Sequence, residues 1–181
     1  CAKNPDLRFI VSNTTEAGIE YKPNQNPDDF NGLTFPGRLT LFMKKRFDEG
    51  LGGFILLPCE LIDKNGDNLK ECILKYSEDW GYGGEFEKWI ETENHFTNTL
   101  VDRIVTGYPR DNAKEMEQSY GYLDDMIDTA EIFHLWVIEG DKKLAEEIPF
   151  HKIGLNVLWT DDVTPYKKRK VRILNGAHTM T

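Results

Sequence analysis

The chain has few of the residues that build disulfide scaffolds or metal centres. Its three cysteines, Cys1, Cys59 and Cys72, form no Cys-x-x-Cys pair, and its four histidines have no His-x-x-x-His or similar spacing. An odd number of isolated cysteines argues against a disulfide framework and is typical of a reducing compartment, so we expect a cytoplasmic protein. The histidine spacing argues against a zinc site, and no metal ligands are predicted.

Long apolar runs and an excess of basic residues are also missing. No stretch approaches the roughly 20 apolar residues of a membrane-spanning helix. The 31 acidic residues outnumber 22 basic ones and give a net charge of -9, which argues against nucleic acids or membrane surfaces as partners. A hydrophobic fraction of 39% over 181 residues is enough for one good-sized globular domain.

A Gly-rich phosphate-binding loop is absent as well. The Gly-x-Gly-Gly sequence at 81–84 follows a predicted helix rather than a strand, so it is not a dinucleotide fingerprint. The chain opens without Met, close to a predicted strand, and closes inside a predicted helix. We interpret it as an internal piece of a longer protein whose upstream part carries the phosphate loop. The alternative is a structural lipoprotein domain with Cys1 as its mature start.

Short apolar runs alternate with amphipathic segments, and this alternation predicts an α/β fold. Buried strands are predicted at 7–12 and 54–58, and further strands at 96–104, 131–139 and 155–159. The predicted helices are one capped by Thr34 and running to about 47, one over 69–80 after a turn at 64–66, a short one around 86–90, one over 111–122, and one capped by Thr164 with Pro165 as its first residue.

Two polar clusters follow or interrupt predicted strands. Asn13, Thr14 and Glu16 come directly after the first strand, and ligands of open α/β sheets bind at the carboxyl ends of strands. An ordinary turn with a helix cap is the alternative. Asp102 and Arg103 stand among apolar residues, where charges are costly unless they are paired or bound to a ligand. A structural ion pair between these two residues is the alternative there.

The most distinctive stretch lies at 165–178, where five of the six residues from 167 to 172 are cationic. On an α-helix, His178 would lie about 80° from Lys170, and Asn175 about 140° from it. A general base, a hydrogen-bonding amide and a second titratable group would then share one broad side and form a plausible reaction centre. The alternatives are a solvated basic face, or a helix that ends at the Asn-Gly pair.

Three segments together resemble the polyol-specific long-chain dehydrogenases and reductases, the family that includes mannitol dehydrogenase. Val-Asp-Arg-Ile at 101–104 resembles the family signature, and 12–18 resembles its strand-end loop near the cofactor. Lys170, Asn175 and His178 match its Lys-x4-Asn-x2-His active-site helix. Within the family, 57–66 and 169–179 are most similar to the branch that interconverts tagaturonate and altronate.

The resemblance implies a zinc-independent oxidoreductase of hexuronate metabolism, more than twice this length, that transfers a hydride between NAD and a small sugar acid. Residues 1–162 would form the later part of a Rossmann-type domain, and 163–181 would begin a helical C-terminal domain. Lys170 would be the general acid or base, while Asn175 and His178 would hold the reacting oxygen and the lysine.

The resemblance also assigns binding residues. The expected cofactor-binding residues are Asn13, Thr14, Glu16 and Asp102, and the expected substrate-binding residues are Asp102, Arg103 and Lys167. The oligomeric state is not predicted.

Two positions depart from the family pattern. Leu61 stands where mannitol-type relatives have an asparagine, so one polar partner of the reacting oxygen is missing or replaced. Lys167 stands where they tend to have an acid, and this exchange adds positive charge suited to an acid sugar. The neighbouring cations Lys168, Arg169 and Lys167 are expected to favour the neutral form of Lys170. The alternatives are a mannitol or fructuronate/mannonate oxidoreductase of the same family, or a non-catalytic module that binds a sugar acid or a nucleotide.

Overall fold

The computed structural model describes residues 1–175, and only the backbone of Leu174 and Asn175. Its strands and helices alternate, which confirms the α/β prediction. In chain order the elements are β1 (Phe9–Ser12), α1 (Phe35–Asp48), β2 (Ile55–Pro58), α2 (Asn65–Asp79), α3 (Gly84–Glu93), β3 (His95–Phe96), β4 (Asn98–Asp102), β5 (Val105–Gly107), α4 (Ala113–Tyr120), β6 (Thr129–Ala130), β7 (Leu135–Glu139), 3₁₀ turns at Lys142–Glu146 and Phe150–Ile153, β8 (Val157–Thr160), α5 (Thr164–Arg169) and a π-helical segment, Lys170–Asn175.

The strands form two main sheets. β1, β2 and β3 are parallel, with Phe9 opposite Ile55 and Ile55 opposite His95. In the second sheet β7 lies between β4, to which it is antiparallel, and β8, to which it is parallel. β5 and β6 form a separate antiparallel pair. Parallel strands joined through helices are the arrangement expected of a doubly wound α/β domain.

The single strand predicted at 96–104 is wrong, because the chain changes sheets at Thr97. The Thr97 backbone N–H and its hydroxyl both donate to the Leu56 carbonyl, at 3.1 and 2.8 Å. This double contact ends β3 against β2, and β4 begins at the next residue. The two sheets therefore meet at Thr97.

β2 is the centre of the core. Successive strand residues point to opposite faces, so Phe54 and Leu56 pack on the side of α1, α2 and α3, while Ile55 and Leu57 pack towards β7 and β8. All four side chains are fully buried. The prediction of a buried strand is confirmed here. It is wrong for β1, which pairs with β2 alone among the described strands and leaves Val11 60% exposed.

The helix starts differ in how well the sequence predicted them. Thr34 caps α1 as predicted, since its hydroxyl accepts the Gly37 N–H at 3.3 Å. The predicted cap at Thr164 is wrong, because Thr164 is already the first residue of α5. Its backbone N–H donates to the Asp162 carboxylate at 2.8 Å, so the acid two residues earlier satisfies this helix end.

The predicted turn at 64–66 is also wrong in part, because Asn65 and Gly66 are the first residues of α2. Asn65 is buried, and its amide donates to the carbonyls of Pro58, Glu60 and Thr99 at 2.9 to 3.1 Å. Tertiary hydrogen bonds thus replace the turn that an Asn-Gly pair otherwise favours.

Candidate active site

A cleft of about 200 Å³ opens at the carboxyl edge of β1 and β2. Its wall comes from the loops that follow these two strands, from β4, and from α5 with the first residues of the π-helical segment. Ligand sites of open α/β sheets lie at this edge. The cleft therefore has the position that the fold favours for a binding site.

A buried carboxylate joins the two strand ends at one side of the cleft. Glu60, two residues after the end of β2, is 1% exposed. It accepts hydrogen bonds from the Ser12 hydroxyl at 3.1 Å, the Thr14 backbone N–H at 3.0 Å and the Thr14 hydroxyl at 2.9 Å. These three bonds fix the loop after β1 beside the cleft. Loss of any of the three donors would leave the buried carboxylate less well satisfied and would destabilise the folded protein.

Asn98 and Glu139 connect the cleft wall to the start of α5. The Asn98 side-chain oxygen accepts the backbone N–H groups of Gly66 and Asp67 at 3.0 and 3.1 Å, which satisfies the beginning of α2. Its amide donates to Glu139 at 3.0 Å, and the other Glu139 oxygen accepts the Val163 N–H at 2.8 Å. This series of hydrogen bonds thus positions α5 relative to α2 and β4.

Lys170 reaches from the last turn to the end of β4. Its Nζ lies 2.9 Å from Asp102 Oδ1 and donates to the Val101 carbonyl at 3.0 Å. The two charged side chains are only 18% and 15% exposed. Asp102, which was predicted to lie near the cofactor and substrate, is thus the partner of Lys170.

The chain leaves the α-helical path at the predicted reactive residue. Lys170–Asn175 is π-helical, with i to i+5 hydrogen bonding, so the α-helical angles expected for this stretch are wrong. In a π-helix, residues five positions apart lie on nearly the same face. The backbone of Asn175 is therefore closer to the helix face that carries Lys170 than it would be in an α-helix. The predictions for the Asn175 side chain and for His178 lie outside the described residues.

A second lysine–aspartate pair lines the same cleft, at a position more exposed to solvent. Lys167 Nζ lies 2.6 Å from Asp63 Oδ1, and both residues line the cleft. The hydrogen bond from Lys167 is the main reason why the pKa of the Asp63 carboxyl lies below its usual range. The positive charge expected from Lys167 is therefore present in the cleft, but an acid from the loop after β2 offsets it.

The remaining predicted residues are divided between the cleft and the surface. Glu16 lines the cleft, and Thr14 is linked to it through Glu60. Asn13 is exposed and lies outside the wall that the described residues form. Arg103 is exposed too, and its Nε donates to the Glu131 carbonyl at 3.1 Å. The alternative of an Asp-Arg ion pair is thus wrong, since the partner of the acid is Lys170.

Sequence reasoning missed Glu60 and Asp63 as parts of the site. Glu60 did carry a signal, because an acid two residues after a fully buried strand stands at the ligand-binding edge of the sheet. Asp63 carried none, since its partner Lys167 lies on a helix that begins about 100 residues later in the sequence. Leu61, the position that departs from the family pattern, lies in the cleft wall and is 59% exposed.

Over the described residues, the side chains of His, Cys, Asp and Glu form no cluster of three or more that could hold a metal ion. In the same part of the chain, no helix is both long enough and apolar enough to cross a membrane.

Comparison with known proteins identifies the fold. Residues 1–152 match the mannitol dehydrogenase Rossmann domain. The chain belongs to the mannitol dehydrogenase family. This membership confirms the resemblance seen in the sequence, and the α/β architecture is that of the family's Rossmann domain.

A curated relative, the altronate oxidoreductase of Enterobacter sp. (strain 638), is 51% identical over 98% of this chain and 38% of its own length. Two solved structures are similar in fold. A substrate-free D-sorbitol dehydrogenase matches 99% of this chain and 39% of its own, with TM-score 0.78 and 27% identity. The Pseudomonas fluorescens mannitol 2-dehydrogenase, in a ternary complex with NAD and D-mannitol, matches 98% and 38%, with TM-score 0.74 and 23% identity.

Proposed function

We propose that this chain is part of an NAD-dependent oxidoreductase that interconverts tagaturonate and altronate. The observation that carries the proposal is the 51% identity to an altronate oxidoreductase over 98% of this chain. Within that similarity, Lys170, which is paired with Asp102, lines a cleft at the ligand-binding edge of the sheet. The chain spans 38% of that relative's length, so the activity belongs to the longer protein.

The residues at the cleft fit a nicotinamide cofactor. Glu16 lines the same cleft as Lys170, and Glu60 fixes the adjacent Thr14 loop at the carboxyl end of β1. Dinucleotides bind at this edge in Rossmann-type domains. A bound nicotinamide would supply the hydride acceptor for oxidation of the alcohol and, in its reduced form, the hydride donor for reduction of the carbonyl. Asn13 and Asp102 are proposed as further cofactor neighbours on the family pattern.

Lys170 is proposed as the group that moves the proton. As an ammonium held by Asp102 and the Val101 carbonyl, it is suited to protonate the carbonyl oxygen of tagaturonate while the carbon takes the hydride. In the opposite direction the neutral amine accepts the hydroxyl proton of altronate. On the family pattern, Asn175 and His178 hold the reacting oxygen and stabilise the charge that develops there.

The domain division is part of the proposal. Residues 1–162 would complete a Rossmann-type domain, and 163–181 would start a helical C-terminal domain. The family match over residues 1–152 and the start of α5 at Thr164, directly after β8, support this boundary.

Steady-state kinetics of the full-length protein test the function. We expect NAD-dependent oxidation of altronate with a kcat/KM well above the values for mannonate and mannitol. A preference for mannitol would refute the sugar-acid assignment. NADH oxidation with tagaturonate checks the reverse direction, which the ammonium form of Lys170 serves.

A further inference from the structure

Two lysines that line the cleft, Lys170 and Lys167, each pair with an aspartate, and the two pairs differ in how firmly they are held. The inner pair, Lys170 with Asp102, is 18% and 15% exposed, and Lys170 has a second bond to the Val101 carbonyl. In the outer pair, Lys167 is 33% exposed and Asp63 is 81% exposed. Ion pairs with such an exposed partner are weak and exchange their partners readily, whereas shielded pairs with additional bonds do not.

The position of Lys167 suits one end of a charged substrate. Lys167 and Lys170 are three residues apart, and side chains at this spacing lie about 5 to 6 Å apart at their Cβ atoms. In tagaturonate, three chain carbons separate the carbonyl carbon from the carboxylate. A substrate with its carbonyl at Lys170 can therefore bring its carboxylate to Lys167.

We propose that Asp63 is an internal stand-in for the substrate carboxylate, which a sugar acid displaces from Lys167 when it binds. This inference rests on the proposed function and names what selects its substrate. A carboxylate that replaces Asp63 keeps the lysine paired, and the released aspartate returns to water, to which it is already largely exposed. An uncharged polyol offers no such replacement, so it gains nothing at this end of the cleft.

The other cations of the cleft do not fill this role equally well. Lys170 is engaged by Asp102 and a backbone carbonyl, so its ammonium is not free for a second carboxylate. Lys64 also lines the cleft, but it is 72% exposed and its partner, Asp67, lies 4.0 Å away. Lys167 is therefore the more shielded of the two exchangeable ammonium groups.

The test compares full-length wild type with Asp63→Asn, Lys167→Gln and the double variant. Asp161→Asn is the matched control, because Asp161 is 83% exposed, close to the 81% of Asp63, and pairs with Lys142 at 2.9 Å outside the cleft. Two quantities are measured: KM and kcat for altronate, and the calorimetric Kd of D-gluconate and of D-sorbitol, an acid and an uncharged polyol of similar length.

Asp63→Asn removes the competing carboxylate, so it should lower the altronate KM and the gluconate Kd about two- to five-fold and leave kcat unchanged. Lys167→Gln should raise the altronate KM and the gluconate Kd about tenfold. The double variant should match Lys167→Gln, because Asp63 acts only through that lysine. Asp161→Asn should match wild type, and sorbitol binding should stay constant in every variant.

Three results would overturn the stand-in role: unchanged or weaker gluconate binding in Asp63→Asn, an Asp63→Asn effect that persists without Lys167, or an equal effect on sorbitol. Failure of the wild type to turn over altronate would instead refute the proposed function. The gluconate titration tests the role of Asp63 in that case as well, because it does not depend on turnover.

Discussion

Lys170 Nζ and Asp102 Oδ1 lie 2.9 Å apart, which joins the last described turn of the chain to the end of β4. The aspartate comes from the Val-Asp-Arg-Ile segment and the lysine from the basic stretch, so two of the three segments that suggested the family meet in one contact. The pair also fixes the orientation of the lysine, since the Val101 carbonyl accepts a second bond at 3.0 Å.

Replacement of Lys170 by Ala in the full-length enzyme should lower kcat by about 10²- to 10⁴-fold, the usual contribution of general acid–base catalysis. Lys170→Arg is the matched control, because arginine keeps the charge opposite Asp102 but does not release its proton near neutrality. Both variants should show this loss of kcat and keep the circular dichroism spectrum of the wild type. Near-normal turnover in either one would refute the proton-transfer role.

The sequence predicted the elements whose signals are local. β2 was identifiable because its apolar run lies between Gly53 and a proline, and α1 because Thr34 stands before a helix-compatible proline. The sheet change at Thr97 was not identifiable, because it depends on a carbonyl of β2 that the residues around Thr97 do not encode. Apolar periodicity records burial and not the identity of a hydrogen-bond partner.

The site was predictable to the extent that family motifs encode it. Those motifs name both Lys170 and Asp102 as site residues, and the two side chains are in contact. The π-helical turn was not expected, because a shift from i+4 to i+5 bonding leaves no mark in composition or spacing. The partnership of Lys167 with Asp63 was missed for a different reason, since a pair so distant in sequence forms only when the fold brings its members together.

Glu60→Gln should weaken both the fold and cofactor binding. The carboxylate accepts three hydrogen bonds from Ser12 and Thr14, whereas an amide has only one oxygen and turns an N–H group towards those donors. We expect a loss of about 1 to 3 kcal/mol in unfolding free energy, measured by urea unfolding, and a higher KM for NAD. Glu91→Gln, at an exposed position of α3, is the control and should change neither quantity.

Equal KM values for NAD in the Glu60→Gln and Glu91→Gln proteins would contradict a link between Glu60 and the cofactor loop. A lower urea midpoint alone would leave Glu60 with a structural role only.

Gly66→Ala should destabilise the protein because α2 begins in direct contact with the backbone of Thr97. A Cβ atom at residue 66 would lie 2.2 Å from the Thr97 carbonyl oxygen and 2.6 Å from its carbon, so the start of α2 and the backbone at Thr97 would have to separate. We expect a cost of about 1 to 3 kcal/mol. Gly84→Ala is the control: a Cβ there meets no atom within 4 Å, and the change should be neutral or stabilising by up to about 1 kcal/mol. Equal thermal midpoints for the two variants would contradict the close contact.

The thiol of Cys59 should be unreactive at neutral and mildly basic pH. Burial beside the end of β2 raises the pKa of Cys59 from its ordinary value of 9.0 to about 11, so little thiolate forms at pH 8. Iodoacetamide labelling followed by peptide mass spectrometry should modify the exposed Cys1 well before Cys59. In urea the two should react at similar rates, and equal rates in the native protein would contradict the prediction.

The same shift predicts how stability depends on pH. Below pH 9.0 both folded and unfolded chains keep the Cys59 proton, so the full stability is present; between 9.0 and about 11 the unfolded chain releases it first. Because the unfolded state then binds fewer protons than the folded state, the free energy of unfolding falls as pH rises through this window. Urea midpoints measured from pH 8 to 11 should decline more steeply in the wild type than in Cys59→Ala, which has no thiol to titrate there. Parallel declines in the two proteins would show that the raised pKa of Cys59 does not contribute.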